Sequence, residues 1–204
     1  MGDFNGDGKL DLATANANGN SVSILLRNSA NTGFDAKTDF SVGPTPHSVA
    51  VGDFNGDGKL DLATANYSSN FVLILLRNST NTGFDAKTDF SVGPTPYSVA
   101  VGDFNSDGKL DLATANFSSS TVSILLRNSA NTGFDAKTDF SVGFGPNSVA
   151  VGDFNGDGKL DLATANENGN SVSILLRNSA NTGFDAKTDF PVGYYPYSVA
   201  VGDF

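Results

Sequence analysis

The chain has no cysteine and no tryptophan, and only one histidine, among its 204 residues. Without cysteine it can form no disulfide, no thiolate nucleophile and no cysteine-ligated zinc site. His47 and Glu167 are its only histidine and glutamate, so no nucleophile and base form a recognisable catalytic motif. We therefore predict that the protein is not an enzyme. His47 itself is interpreted as a variant of a loop position that is Tyr or Asn elsewhere in the chain.

Positive charge and long apolar runs are also scarce. Twelve basic residues stand against 22 acidic ones, which gives a formal net charge of −10. No basic stripe could neutralise phosphates, so nucleic acid is excluded as a partner. No apolar run approaches the roughly 20 residues of a membrane span, and no secretory leader follows Met1.

A nine-residue stretch, Asp3-Phe-Asn-Gly-Asp-Gly-Lys-Leu-Asp11, recurs every fifty residues and is the most specific feature of the chain. Its side-chain oxygens occupy alternate positions, a glycine allows a sharp turn, and the lysine carbonyl and final aspartate add two donors. Calcium takes six to eight oxygen ligands at about 2.3–2.6 Å, which such a loop can supply. The stretch therefore predicts one Ca²⁺ per repeat and up to four per chain.

The predicted ligands are the side chains of the aspartates and asparagines and the backbone carbonyl of each lysine: Asp3, Asn5, Asp7, Lys9, Asp11, Asp53, Asn55, Asp57, Lys59, Asp61, Asp103, Asn105, Asp107, Lys109, Asp111, Asp153, Asn155, Asp157, Lys159 and Asp161. The alternative is an Asx-rich turn without metal. An EF-hand is excluded, because Thr14 stands where a bidentate glutamate is needed and the flanking segments are not helical.

Each repeat contains four extended segments, which in the second repeat are 48–54, 61–66, 72–77 and 84–92. The segments are short, rich in β-branched residues and separated by Asn-, Gly- and Pro-containing turns, so helix is not expected. The last segment alternates apolar and polar residues, as an edge strand half exposed to water does. The pattern predicts an all-β fold, a β-propeller of four near-identical four-stranded blades. A β-solenoid is the competing repeat architecture.

The run from Val51 to Asn66, followed by an apolar strand and the Gly83-Phe84 pair, resembles the FG-GAP/VCBS repeat. That repeat builds the integrin α-subunit propeller and many bacterial surface and secreted proteins. The resemblance implies a calcium-binding propeller with the metal in the loop between the first two strands of a blade. It covers every repeat, so we predict one domain over residues 1–204, with repeats 1–50, 51–100, 101–150 and 151–200. The repeats are more alike than is usual, which suggests recent amplification or engineering.

Residues 202–204 repeat the sequence of residues 2–4, so the segment 198–204 is predicted to be a closing strand that completes the first blade. Closure within one chain gives a four-bladed monomer, and closure between two chains gives an eight-bladed homodimer; propellers of four to eight blades exist. Members of the family more commonly have seven blades. We favour the dimer, because a repeat suited to a seven-bladed ring needs a smaller change in the angle between neighbouring blades to form eight blades than to form four.

Most positions that differ between repeats fall in two loops, represented by residues 17–21 and 44–47 of the first repeat. In a four-stranded meander both loops lie at the end opposite the metal loops. Loops on a rigid scaffold are where binding residues concentrate, and aromatic rings suit sugars and protein side chains. The candidate ligand-binding residues are His47, Tyr67, Tyr97, Phe117, Phe144, Asn147, Tyr194, Tyr195 and Tyr197. The alternative is that these positions drift freely.

The expected function is a calcium-stabilised binding module, extracellular or at the cell surface, that recognises carbohydrate or protein. A lectin-like use rests on the aromatic loops, and a role in cell adhesion rests on the integrin-like resemblance alone. The alternative is a purely structural or engineered repeat scaffold that has no ligand.

Overall fold

The structure is a computed structural model that describes residues 1–203, and Phe204 lies outside the described part. These residues form four antiparallel sheets in chain order, with one 3₁₀ turn at Ala17–Gly19. The all-β propeller class predicted from the repeat pattern is confirmed. No helix within residues 1–203 is long and apolar enough to cross a membrane.

Strands are numbered in chain order, and each sheet is called a blade. The first blade contains β1 (Leu12–Asn16), β2 (Ser21–Leu25) and β3 (Thr38–Ser41); the second contains β4 (Pro46–Gly52), β5 (Asp61–Asn66), β6 (Phe71–Leu75) and β7 (Thr88–Ser91); the third contains β8 (Pro96–Gly102), β9 (Asp111–Asn116), β10 (Thr121–Leu125) and β11 (Thr138–Ser141); the fourth contains β12 (Pro146–Gly152), β13 (Asp161–Asn166), β14 (Ser171–Leu175) and β15 (Thr188–Pro191).

Every blade is an antiparallel meander whose strands pair in sequence order. In the second blade, Gly52 pairs with Asp61, Leu62 with Leu75, and Ile74 with Thr88. The first blade has three strands, and its innermost position holds only an isolated bridge between Gly2 and Asp11. The innermost strands of neighbouring blades lie beside one another, so they face the axis, and the short fourth strands form the rim.

The core lies between blades rather than inside them. Three clusters of buried side chains each join two neighbouring blades, and each contains one phenylalanine of the repeated loop: Phe4, Phe54 or Phe104. These three rings are only 1% exposed. The equivalent Phe154 is 37% exposed, because within residues 1–203 no blade packs against the outer face of the fourth blade. The hydrophobic stabilisation therefore comes from stacking, as expected for repeats too small to bury a core alone.

Three of the four segments differ in their bounds from the sequence prediction. The first, predicted over 48–54, is observed as Pro46–Gly52. The third segment begins at Phe71 and ends at Leu75, and the fourth forms strand only over Thr88–Ser91. Its start, Phe84, makes an isolated bridge with Arg77 instead, and residues 85–87 have no strand partner. The first half of the alternating segment stays beside the chain that follows the third strand, where Asp85 N donates to the carbonyl of Leu76 at 2.8 Å. No strand is assigned in residues 198–203, so the closing strand is not seen and remains a prediction.

Candidate functional site

The repeated loop folds around its first aspartate. One carboxylate oxygen of Asp3 accepts hydrogen bonds from the backbone N–H of Gly6 at 2.7 Å and of Asp7 at 3.1 Å, and the other accepts from Gly8 at 2.7 Å. Asn5 Oδ1 accepts from the N–H of Asp7 at 3.0 Å. The alternating oxygens predicted to be ligands therefore also fix the shape of the loop that carries them.

Glycine is favoured in this loop because two backbone positions are left-handed. The φ angles of Gly6 and Gly8 are both 80°, a region that is costly for residues with a Cβ. The third repeat has Ser106 at the first of these positions, with a φ of 62°. In this exception the N–H groups of Asp107 and Gly108 still donate to Asp103, and the backbone accepts some strain.

The last aspartate of the motif has a role that the sequence did not reveal. Asp61 is completely buried, and its two oxygens accept hydrogen bonds from the N–H groups of Phe54 at 2.8 Å and Arg77 at 2.7 Å. The corresponding bonds recur in all four repeats. This carboxylate therefore ties the loop to the start of the segment after the third strand.

Burial changes the pKa of two of these carboxylates. Desolvation raises the pKa of Asp61 and of Asp111 to about 6, hydrogen bonds from backbone N–H groups oppose the rise, and the nearby loop aspartates add to it. For Asp61 those neighbours are Asp57 and Asp53. Each loop thus collects negative charge around oxygen donors, the chemistry that a hard cation prefers.

The donor set fits calcium in chemistry, since every predicted donor is an oxygen atom. Within residues 1–203, however, no three acidic or histidine side chains converge closely enough to ligate one ion. The loop carboxylates bond to backbone N–H groups, and Asp57 also pairs with Lys59 at 3.1 Å. An exposed pair of this kind contributes only about 0–1 kcal/mol, so it would yield readily to a divalent ion. The calcium ligands stay a prediction.

The two variable loops meet at the other end of the blades. The N–H of Tyr67 donates to the carbonyl of Thr45 at 2.9 Å, and the N–H of Thr45 donates to Oδ1 of Asn20 at 2.9 Å. The loop after the third strand, by contrast, contacts the repeated loop, where Lys9 Nζ donates to the carbonyls of Asn28 and Ser29. We call the first of these the variable end and the second the metal-loop end.

Aromatic rings from neighbouring blades form a continuous array at the variable end. The ring of His47 lies 5.0 Å from that of Tyr67 and 4.4 Å from that of Tyr97, between ring centroids. Tyr67 and Tyr97 are 5.6 Å apart, and Tyr97 lies 6.0 Å from Phe117. All four pairs are edge-to-face or tilted, the arrangements that aromatic rings prefer, and Tyr67 remains 37% exposed.

A β-bulge on the innermost strand positions one residue of each of the last three blades. The register shifts between Pro46 and Ser48, and again at the equivalent positions of the third and fourth blades, so residues 47, 97 and 147 are extra residues on the innermost strands. Bulges often redirect a side chain next to a binding site. Here the bulge brings His47 and Tyr97 into the aromatic array and puts Asn147 beside it.

Asn147 is the polar centre of this region. It is only 4% exposed, its Nδ2 donates to the carboxylate of Glu167, and its Oδ1 has no hydrogen-bond partner among the described residues. Burial raises the pKa of the Tyr97 hydroxyl, and the neighbouring Tyr197 and Glu167 add to the rise. Glu167 was not among the predicted site residues. It replaces the aromatic residue at the variable position held by Tyr67 and Phe117, which was the available signal.

The remaining predicted residues are at the same end but more exposed. Phe144, Tyr194, Tyr195 and Tyr197 are 63%, 88%, 63% and 62% exposed, respectively. Within residues 1–203 they make no close ring pair with the array. The structure thus gathers His47, Tyr67, Tyr97, Phe117 and Asn147 and leaves the later aromatics at its margin.

Comparison with known proteins supports the repeat assignment. The sequence profile of the FG-GAP-like repeat matches four times, over residues 3–64, 53–114, 103–164 and 153–204. None of the curated protein sequences matches the chain.

Solved structures share the fold at low sequence identity. The periplasmic gluconolactonase PpgL of Pseudomonas aeruginosa is 16% identical over 94% of this chain and 53% of its own, with a TM-score of 0.64. A functionally unknown protein from Desulfotomaculum acetoxidans is 12% identical over 93% and 58%, with a TM-score of 0.64. BBS1N, solved in complex with ARL6DN, is 18% identical over 93% and 55%, with a TM-score of 0.61. The chain spans little more than half the length of these structures, and the likeness shows the fold alone.

Proposed function

The chain belongs to the FG-GAP-like repeat family, and from that premise we propose that it is a calcium-stabilised recognition module that binds neutral carbohydrate at its variable end. The observation that carries the proposal is the aromatic array of His47, Tyr67, Tyr97 and Phe117, with the hydrogen-bonded pair of Asn147 and Glu167 beside it. Aromatic rings next to a few fixed polar groups are the usual composition of a small-ligand site.

Carbohydrate matches this surface in two ways. The apolar face of a sugar ring packs on an aromatic side chain, and its hydroxyl groups donate to an acceptor such as the Glu167 carboxylate. The net charge of −10 and the position of Glu167 disfavour anionic sugars, so the ligand is neutral.

Calcium has a structural role in this proposal. The repeated loops lie at the metal-loop end, away from the variable positions, and each joins the innermost strand to the second strand of its blade. Twelve of the 22 acidic residues are aspartates of these loops, and four Ca²⁺ would change the formal charge from −10 to −2. We also propose an extracellular location, because weak calcium modules remain loaded where free calcium is high.

Glycan-array binding by the calcium-loaded chain tests the recognition function. We expect saturable binding to neutral glycans that a free sugar competes away. Tyr97→Ala should abolish it while circular dichroism shows the fold intact, and Asp85→Ala on the exposed rim is the matched control. A silent array would contradict carbohydrate recognition and favour a protein ligand or a ligand-free scaffold. Hydrolysis of gluconolactones above the buffer rate would contradict a purely binding role.

Calcium titration of the chelator-stripped chain tests the metal assignment separately. We expect up to four Ca²⁺ per chain by isothermal titration calorimetry, and a melting temperature that falls when EDTA is added, since a metal that binds only the folded state stabilises it. Asp57→Ala should remove one site, while Asp85→Ala should remove none. A melting curve that EDTA leaves unchanged would exclude structural calcium.

A further inference from the structure

The loop after the third strand of one blade contacts the repeated loop of the previous blade. In the third blade this loop, residues 126–137, contains Arg127, whose side chain donates to Oδ1 of Asn131 at 2.9 Å and to its carbonyl at 2.7 Å. The guanidinium also lies 5.0 Å from the ring centroid of Phe134. Arg127 is only 4% exposed, so a buried side chain fixes the positions of Asn131 and Phe134.

The side-chain NH₂ group of Asn131 bonds to the neighbouring blade. Both oxygens of Asn131 accept from Arg127, and its Nδ2 donates to the backbone carbonyl of Asn55, in the repeated loop of the second blade. Asn181 of the fourth blade donates in the same way to the carbonyl of Asn105 in the third blade, at 2.8 Å. The same hydrogen bond therefore crosses two successive junctions between blades.

Asparagine suits this position for two reasons. Its backbone is left-handed, with a φ of 56° at both Asn131 and Asn181, and asparagine adopts this conformation more readily than most residues. Its short side chain carries an acceptor for the arginine of its own blade and a donor for the loop of the previous blade. In the fourth blade Arg177 holds Asn181 by the same two bonds. The asparagine therefore links a buried arginine directly to the neighbouring loop.

Three consecutive residues of the second repeated loop contact the third blade. The ring of Phe54 lies edge-to-face with that of Phe134, with 6.2 Å between centroids. Asn55 accepts the hydrogen bond from Asn131. A Cβ added at Gly56 would lie 2.9 Å from Asn131 Nδ2, so the two blades approach closely here. The third blade therefore holds this loop along residues 54–56.

The third repeated loop makes the same contacts with one addition. Ser106 replaces the glycine, and its Oγ accepts a second hydrogen bond from Asn181 Nδ2, at 3.2 Å. The rings of Phe104 and Phe184 lie 6.1 Å apart, as their equivalents do at the previous junction. The one substitution among the four repeated loops thus falls at the contact with the next blade and adds a bond to it.

The contacted residues alternate with predicted calcium ligands, which in this part of the second loop are Asp53, Asn55 and Asp57. The peptide group between Asn55 and Gly56 donates its N–H to Oδ1 of Asp53 at 2.7 Å. Its carbonyl accepts the bond from Asn131. Because a peptide group is planar, these two bonds fix one orientation of the backbone, and with it the directions in which the ligand side chains leave the chain. Removing a group that orients ligands from outside the coordination shell typically weakens metal binding about 10–100-fold.

The charge of the bonded group also suits a position beside a cation. Burial lowers the pKa of the Arg127 guanidinium, and the carboxylates of Asp61 and Asp53, in the loop of the previous blade, oppose the fall. The positive charge of this blade therefore lies near the same loop. The amide of Asn131 is neutral, so its bond to Asn55 orients the loop without adding repulsion toward a metal ion.

We propose that Asn131 and Asn181 are positioning residues for calcium, and that each sets the affinity of the repeated loop in the previous blade rather than in its own. The proposal rests on the calcium role proposed above, and it makes each of these two sites depend on two blades. Calcium binding and contact with the next blade favour the same loop conformation. Calcium should therefore stabilise the junction between blades as well as the loop.

Calcium titration of the chelator-stripped chain by isothermal titration calorimetry tests the proposal. Asn131→Gly removes the amide and keeps the left-handed backbone accessible, and it should weaken one site about 10–100-fold. Thr132→Ala is the matched control and should leave every site unchanged, because Thr132 lies exposed in the same loop and forms its hydrogen bonds with Asn128 of its own blade. A merely structural role would lower the melting temperature in EDTA and leave the calcium affinities as they are.

Combination with Asp57→Ala, which should remove the site of the second loop, identifies the site that is weakened. In that background Asn131→Gly should leave the remaining sites unchanged, whereas Asn181→Gly should weaken one of them about 10–100-fold. Unchanged affinities in the single Asn131→Gly chain, or a further loss when it is combined with Asp57→Ala, would overturn the positioning role and leave the calcium assignment intact. A parent chain that binds no calcium would overturn both.

Discussion

Replacing Asp61 with alanine should destabilise the fold by an amount that the geometry allows us to work out. The carboxylate is completely buried and accepts two backbone hydrogen bonds, from Phe54 at 2.8 Å and from Arg77 at 2.7 Å. Alanine leaves both N–H groups without an acceptor in a region that water does not reach. Each buried unsatisfied donor costs about 1–3 kcal/mol, so the free energy of unfolding should fall by roughly 2–6 kcal/mol.

Urea unfolding in EDTA, followed by circular dichroism, measures this loss without any contribution from metal. The first unfolding transition is the relevant one, because repeat arrays need not unfold in two states. Asp61→Asn keeps one acceptor but turns a buried NH₂ donor toward the other N–H, so it should still cost at least about 1–3 kcal/mol. The exposed Asp85→Ala should stay within about 0.5 kcal/mol of the parent. An Asp61→Ala chain as stable as the parent would refute the reasoning that this aspartate fastens the loop.

Two further substitutions test the junctions and the loop after the third strand. Gly93→Ala would place a Cβ 2.6 Å from the buried Asn116 and should lower the free energy of unfolding by about 1–3 kcal/mol. Gly33→Ala, for which the nearest atom to the added Cβ is 3.5 Å away, is the control and should be close to neutral. Equal melting temperatures of the two variants would contradict this expectation. Arg127 donates to Asn131 at 2.9 Å to Oδ1 and 2.7 Å to the carbonyl, and lysine cannot make both bonds. Arg127→Lys should therefore lower the free energy of unfolding in urea by about 1–3 kcal/mol. An unchanged urea midpoint would show that these bonds contribute little.

Sequence periodicity was sufficient for the architecture because the repeat leaves few choices. Four short extended segments per fifty residues, each too small to fold alone, can bury their apolar residues only by stacking. The second strand, predicted at 61–66, is observed over Asp61–Asn66. The fourth, predicted over 84–92, is observed only over Thr88–Ser91, because alternation reports which side chains face the core and not whether a partner strand continues.

The candidate sites, like the strands, could be predicted only in part from the sequence. Alternating oxygens and glycines were visible in the chain, and they predict calcium ligands that remain to be tested. The burial of Asp61 and its bonds to Phe54 and Arg77 were not visible, because one donor lies seven residues before it and the other sixteen after it. Nothing in a linear motif separates an oxygen that binds metal from one that holds the backbone.

By itself, the sequence determined the repeat length, the all-β blades and the end of each blade on which variable residues lie, since these depend on local pattern. Only the tertiary structure decided that His47, Tyr67 and Tyr97 form one array and that Asn147 is buried beside Glu167. It also decided that the side chain of Leu10 is exposed. Each of these depends on the packing angle between blades and on a bulge that adds one residue to the innermost strand. Near-identical repeats carry the same local instructions, so their differences in environment arise only from what is packed beside them.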